Sequence, residues 1–201
     1  MAQKAYDSER QDYKTPPEIY EKLLRMAEID KFDIDVCCSE KNIPAKRHFL
    51  DLFYDGLTEK WQGFCFLNPP FKYTQKWVKK AVESVDKNDA VVFAVIPADR
   101  METKYYQDYI LKNPNCVFCF LPNKIGFIIP GHETEKPKPS QKIMIAIFCN
   151  QHKLLNCHFS DSGFGKNFNT VFIKGGQIEW EFSAQMKQAG NTIAASRVFA
   201  K

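Results

Sequence analysis

The octapeptide Phe64-Cys65-Phe66-Leu67-Asn68-Pro69-Pro70-Phe71 changes character halfway along. Its first four residues are apolar, with two β-favouring aromatics, and read as a buried strand. The strand stops at Asn68, because two successive prolines neither extend a sheet ladder nor leave the residue before them free to turn. Polar chemistry then falls at a strand's carboxyl end, where open α/β sheets hold their ligands.

Those residue types suit one task. Asn68 offers a side-chain carbonyl, and Pro69, which has no N–H, still offers its main-chain carbonyl. Two acceptors fixed by a Pro-Pro corner can grip both hydrogens of an exocyclic amine, while the Phe71 ring gives a flat face for a base. An aromatic amine is a poor nucleophile because its lone pair is delocalised. Acceptors on its N–H groups push density toward nitrogen and stabilise the positive charge that develops during attack. The plainer reading of these four residues is a proline-rich turn after a core strand, and the surrounding sequence decides between the two.

Asn-Pro-Pro-Phe resembles the catalytic motif of amino-methyltransferases that use S-adenosylmethionine. The order of the neighbouring segments, over about residues 13 to 149, resembles the phage-type Dam family of DNA N6-adenine methyltransferases. The resemblance implies a Rossmann-like α/β fold, with a mixed, mostly parallel seven-stranded sheet flanked by helices. It implies Asn68, Pro69, Pro70 and Phe71 as catalytic residues, S-adenosylmethionine as cofactor and DNA as partner, double-stranded rather than single-stranded. The base would be flipped out of its stack.

Two upstream segments belong with this resemblance. In Thr15-Pro16-Pro17-Glu18-Ile19, Thr15 can cap a helix whose first turn tolerates proline, with Ile19, Leu23 and Met26 facing inward. The family likeness makes Thr15-Pro16 the segment that closes over the methionine end of the cofactor. Phe32 to Cys38 alternates like a strand. An acid at its end can face an ammonium or ribose hydroxyls, and Asp35 is chosen over Asp33. The segment resembles the family's Asp-Val-x-x-Ser/Ala, with Asn42 matching a following asparagine. Here the sequence departs from the Gly-rich loop that methyltransferases more widely use, so Cys37-Cys38-Ser39 must supply the close approach, with Cys37 as the candidate cofactor contact. Asp51 and Asp55, before Trp61, resemble the family's acidic Asp-Gly-Leu segment. Asp55 would take the cofactor adenine's amine and Asp51, the weaker candidate, its ribose, although each alone reads first as part of a solvated acidic turn.

The downstream pattern alternates helices and strands. Thr74 to Val85 places Trp77, Val78, Ala81, Val82 and Val85 at helical spacing. Ala90 to Ile96 is a β-branched run fit for a central strand covered on both faces. A helix is expected over Thr103 to Leu111, strands over Val117 to Phe120, Ile125 to Ile129 and Lys142 to Cys149, and a long loop over Pro130 to Lys142 that would face DNA. Lys72, Tyr73, Arg100 and Lys124 are the candidate nucleic-acid contacts. Thr170 to Lys174 and Gln177 to Phe182 flank Gly175-Gly176 as a hairpin. The chain thus divides into a flexible arm (1–12), a methyltransferase domain (13–150) and an extension with a β-hairpin (151–201).

Composition sets bounds. With 201 residues, 44% of them hydrophobic, the chain can bury one good core, and a net charge of +4 permits a basic face without requiring one. Seven cysteines, an odd number lying mostly in apolar runs, and the absence of a basic-then-apolar leader point to a reducing, intracellular and cytoplasmic setting. No apolar run approaches the roughly 20 residues that span a bilayer. No phosphate-cradling Gly-x-x-x-x-Gly-Lys-Ser/Thr occurs, and Gly163-Phe164-Gly165 lacks a third glycine. No metal is expected, since Cys116-x-x-Cys119 on a strand sends its thiols to opposite faces. Other acceptors with a planar NH2 group stay open: cytosine N4, an RNA adenine or a glutamine amide, and so do single-stranded substrates, since the chain has no room for a large recognition domain. A catalytically idle module that only binds nucleic acid stays open as well.

Overall fold

The computed structural model describes residues 12–50, 55–121, 124–133 and 141–150, and the backbone of Val171–Lys174 and Gln177–Trp180. Its framework is one sheet with strand order β2-β1-β3-β4-β6-β5-β7-β8. The strands are β1 (Phe32–Asp35), β2 (Ala45–His48), β3 (Phe64–Leu67), β4 (Val91–Pro97), β5 (Cys116–Phe120), β6 (Ile143–Phe148), β7 (Val171–Lys174) and β8 (Gln177–Trp180). The first four run parallel, and β6 is antiparallel to both β4 and β5. Strand β7 pairs antiparallel with β5 and with β8, while Gly175-Gly176 lies outside the described residues. Residues 32–148 supply six strands and the last two bring the sheet to eight, so the expected seven is not the count found.

All seven residues of β4 are buried, as a strand covered on both faces requires. Its side chains alternate between two apolar layers. Val91, Phe93 and Val95 meet Ile19, Leu23 and Met26 of α1 (Pro17–Ala27). Val92, Ala94 and Ile96 meet Trp77, Val78, Ala81 and Val85 of α3 (Thr74–Asn88), which follows the short α2 (Asp55–Thr58). Phe32, Phe66 and Phe93 form the α1-side centre, with ring centroids 5.3 and 5.8 Å apart from Phe32. Burying each such ring contributes about 2 to 3 kcal/mol. The two layers also separate Cys116 from Cys119, as strand alternation demands.

Three local expectations are corrected. Thr15 does not cap α1. Pro16 occupies the cap position with no side-chain bond, Pro17 begins the helix, and the buried Thr15 hydroxyl has no partner among the described residues. Ile125 to Ile129 is not a strand. Ile125 bridges to Gln141 and Ile128 to Lys14, so the segment changes partner before a ladder can form. The helix expected over Thr103 to Leu111 is one α turn, α4 (Lys104–Tyr106), running into a π-helical turn over Gln107–Leu111, with no glycine or proline there to account for the wider coil.

Candidate active site

Strands β1 and β3 lie side by side with Asp35 in register with Phe66, so the residues just past their ends meet. The Val36 N–H donates to the Phe66 carbonyl at 3.0 Å, and the Asp35 carbonyl accepts from the Phe49 N–H at 2.9 Å, which fixes the exit from β1. The segment before α1 crosses this edge. Lys14 exchanges both main-chain hydrogen bonds with Ile128, each 3.0 Å. A cleft results, lined by Asp12 to Thr15, by Asp35, by Cys37 to Ser39 with Asn42 and Ile43, and by Phe66 and Asn68.

Asp35 is the electrostatic centre of that cleft. Its residue is 1% exposed, and neither carboxylate oxygen has a hydrogen-bond partner among the described residues. Burial pushes the carboxyl up to about 7, offset only in part by the neighbouring Cys37 N–H and Cys38 thiol. The Cys38 thiol itself donates to the Phe49 carbonyl at 3.4 Å. Burial and the neighbouring Asp35 push that thiol far up, which makes it inert as a nucleophile.

Asp33, two residues earlier, has the opposite fate. Burial opposes its charge, but Lys46 at 2.7 Å and the Phe64 N–H at 2.8 Å outweigh burial and hold it below the usual carboxylate range. Asp33 therefore ties β1 to β2 and β3, whereas Asp35 faces the cleft without such partners. A buried unpaired carboxylate is costly, and a cationic group with hydroxyl donors would satisfy it. The buried, unpartnered Thr15 hydroxyl adds a second polar group to the same wall.

Asn68 donates from Nδ2 to the Tyr13 carbonyl at 3.1 Å. A carbonyl can only accept, so this bond fixes the amide's orientation and leaves Oδ1 as the side chain's acceptor. Pro69 and Pro70 are buried. The Pro70 carbonyl accepts from the Tyr73 N–H at 2.8 Å and the Phe71 carbonyl from the Thr74 hydroxyl at 3.0 Å, so the corner runs through a single 3-10 turn, Phe71–Tyr73, into α3. The half-buried Phe71 ring packs against Phe127, centroids 5.6 Å apart at 78°. Phe127 in turn touches the Tyr13 ring at 6.4 Å.

Of the residues expected at the site, Thr15, Asp35, Cys37 and Asn68 share the cleft, and Pro16 is buried beside it as the cap of α1. Asp51 lies outside the described residues, and Asp55 begins α2. Tyr73 carries two ammonium groups near its ring, Lys72 and Lys76, each 5.8 Å from the centroid. Arg100 is exposed and 3.9 Å from its neighbour Asp99, and Lys124 is exposed. Sequence reasoning missed Tyr13, Lys14, Phe127 and Glu133. Their parts depend on main-chain atoms or on contacts more than fifty residues away, for which no local spacing gives a signal.

The model of the DNA N-6-adenine-methyltransferase (Dam) family matches residues 2–163, most of the chain. The protein belongs to that family, and with it to the enzymes that methylate adenine N6 in DNA. No curated protein matches it. Among the described residues, no helix is long and apolar enough to cross a membrane, no group of three or more His, Cys, Asp or Glu is placed to hold a metal, and the six described cysteines are buried and form no disulfide.

Proposed function

We propose that this protein transfers the methyl group of S-adenosylmethionine to N6 of an adenine in double-stranded DNA, with the target base flipped out against Asn68, Pro69, Pro70 and Phe71. The observation that carries the reading is the placement of Asn68, its amide oriented by the Tyr13 carbonyl, in the same cleft as the unpaired Asp35. When bound, S-adenosylmethionine supplies a methyl group already activated by its sulfonium charge. Asp35 holds the ammonium or a ribose hydroxyl, and Thr15-Pro16 with Cys37 closes around it. Asp51 and Asp55 are assigned to the ribose and the adenine amine. The orphaned oxygens of Asp35 and Thr15 fit such a ligand, since its donors supply what they lack.

Asn68 Oδ1 and the Pro69 carbonyl accept from the target amine, which raises the density on N6 and stabilises the charge that grows there. Phe71 holds the base plane and is itself held by Phe127. Lys72, Tyr73, Arg100 and Lys124 contact phosphates or neighbouring bases. This reading keeps an arm over 1–12, the catalytic domain over 13–150 and an extension over 151–201, working on DNA inside the cell. Incubation with methyl-labelled S-adenosylmethionine and plasmid lacking N6-methyladenine, followed by digestion to nucleosides, is expected to place the label in N6-methyladenine. Label in cytosine, or transfer to RNA alone, overturns it.

A further inference from the structure

We infer that Lys14 is a positioning residue for the transfer: it pins the strap whose Tyr13 carbonyl orients Asn68. The inference rests on the assignment of Asn68 to the target amine. At the reacting end of the site the Tyr13 carbonyl of this strap accepts from Asn68 Nδ2 at 3.1 Å. A side-chain amide held by one bond is as well placed as the carbonyl that holds it. That carbonyl lies between two anchors. On one side the Tyr13 ring rests on Phe127, and on the other the Lys14 backbone is doubly bonded to Ile128.

The Lys14 ammonium supplies the remaining fastening. Its Nζ lies 2.7 Å from Glu40 Oε1, in the loop after β1, and 2.7 Å from Glu133 Oε1, in the connection between β5 and β6. The Lys14 side chain is 12% exposed while the Glu40 and Glu133 side chains are 48% and 50% exposed, so the lysine end of the pairing is the ordered one and the carboxylates reach it from the surface. Glu133 also accepts from the Gly131 N–H at 3.0 Å. One cation thus joins three separate parts of the chain at the point where the strap passes the catalytic amide. Removing its charge deprives Glu40 and Glu133 of their shared cation, and the strap loses its side-chain tie to both. Reacting groups a fraction of an ångström out of place lose rate rather than affinity, so the effect falls on turnover.

The test uses the full chain. In 15N-labelled protein without cofactor, the Asn68 side-chain amide signals, assigned by their loss in Asn68→Ala, are expected to move in Lys14→Met and to return in Lys14→Arg. Single-turnover methylation is expected to fall about tenfold in Lys14→Met, with KM for S-adenosylmethionine and DNA within about twofold of the parent, and to recover in Lys14→Arg. Unchanged amide signals and unchanged rate in a folded Lys14→Met overturn the inference, as does a loss confined to the KM for S-adenosylmethionine, which would make Lys14 a ligand. If the parent protein methylates no adenine but the amide signals respond as described, the proposed function falls while the orientation of Asn68 by the Lys14 strap stands.

Discussion

Asp35→Asn is expected to stabilise the cofactor-free protein in a pH-dependent way while abolishing cofactor binding. The native carboxyl is raised from 3.8 to about 7, chiefly by burial. Below pH about 4 the acid is neutral in both the folded and unfolded chain, and parent and variant differ little. As pH rises from there, the unfolded chain ionises and the folded one resists, so the parent loses stability until the native carboxyl itself ionises near 7. Above that the loss is complete and constant. Three pH units at about 1.4 kcal/mol each give about 4 kcal/mol as the full gap. That is a large part of the 5 to 15 kcal/mol typical of a folded domain. For a chain of this size it corresponds to roughly 8 to 16 °C in Tm. Thermal unfolding of both proteins at half-unit steps from pH 4 to 8, without and with S-adenosylmethionine, reads the effect. The gap should open between pH 4 and 7, then level, and added cofactor should close it from the parent's side only. A gap that does not change with pH would show that Asp35 is already ionised and satisfied in the free protein, and the burial argument would be refuted.

Other substitutions probe the remaining parts. Asn68→Ala should abolish turnover while calorimetry gives an almost unchanged affinity for S-adenosylmethionine, since the amide is assigned to the acceptor. Phe71→Ala should cost about 1 to 3 kcal/mol of base stacking, less than the loss of Asn68, and Phe71→Trp should retain much of the single-turnover rate. Base extrusion, followed by 2-aminopurine fluorescence at the target position, should weaken in Phe71→Ala and, to a smaller degree, in Phe127→Ala, which removes the ring that holds Phe71. Gly56→Ala should lower Tm. The added Cβ would lie 1.9 Å from the Val36 carbonyl oxygen and 2.6 Å from the Trp77 ring, an overpacking that costs about 1 to 3 kcal/mol or more by chemical denaturation.

Where an element is set by its own residues, it was legible. Strand β3 ends at Asn68 because the prolines dictate it, the inner face of α1 follows from Ile19, Leu23 and Met26, and β4 is buried on both sides as its β-branched run requires. Asp35 was separable from Asp33 by its position at the strand end, and the structure gives the physical difference, an ion pair for one and an unpaired burial for the other. What could not be read depends on distant partners. Thr15 has the chemistry of a cap, but the two prolines after it shift the helix start and turn its hydroxyl toward the cleft. Ile125 to Ile129 has strand propensity without a continuous neighbour to pair with, and propensity alone cannot supply one. The Asn68 to Tyr13 bond joins a side chain to a main-chain atom 55 residues earlier, and no pattern of residue types encodes it.

The position of β6 between β4 and β5 has a consequence for the chain as it leaves the ribosome. Residues 91–97 and 116–120 are made well before 143–148, yet they have no ladder with each other and meet only through β6. Until residue 148 has emerged, β4 can pair only with β3, and the Cys116–Phe120 strand has neither of its sheet neighbours. Both are apolar, and open apolar edges recruit other chains. A nascent chain that has emerged only to residue 142 therefore presents one open edge on β4 and two on the Cys116–Phe120 strand, and the emergence of residues 143–148 closes the first and one of the other two, the last waiting for Val171–Lys174.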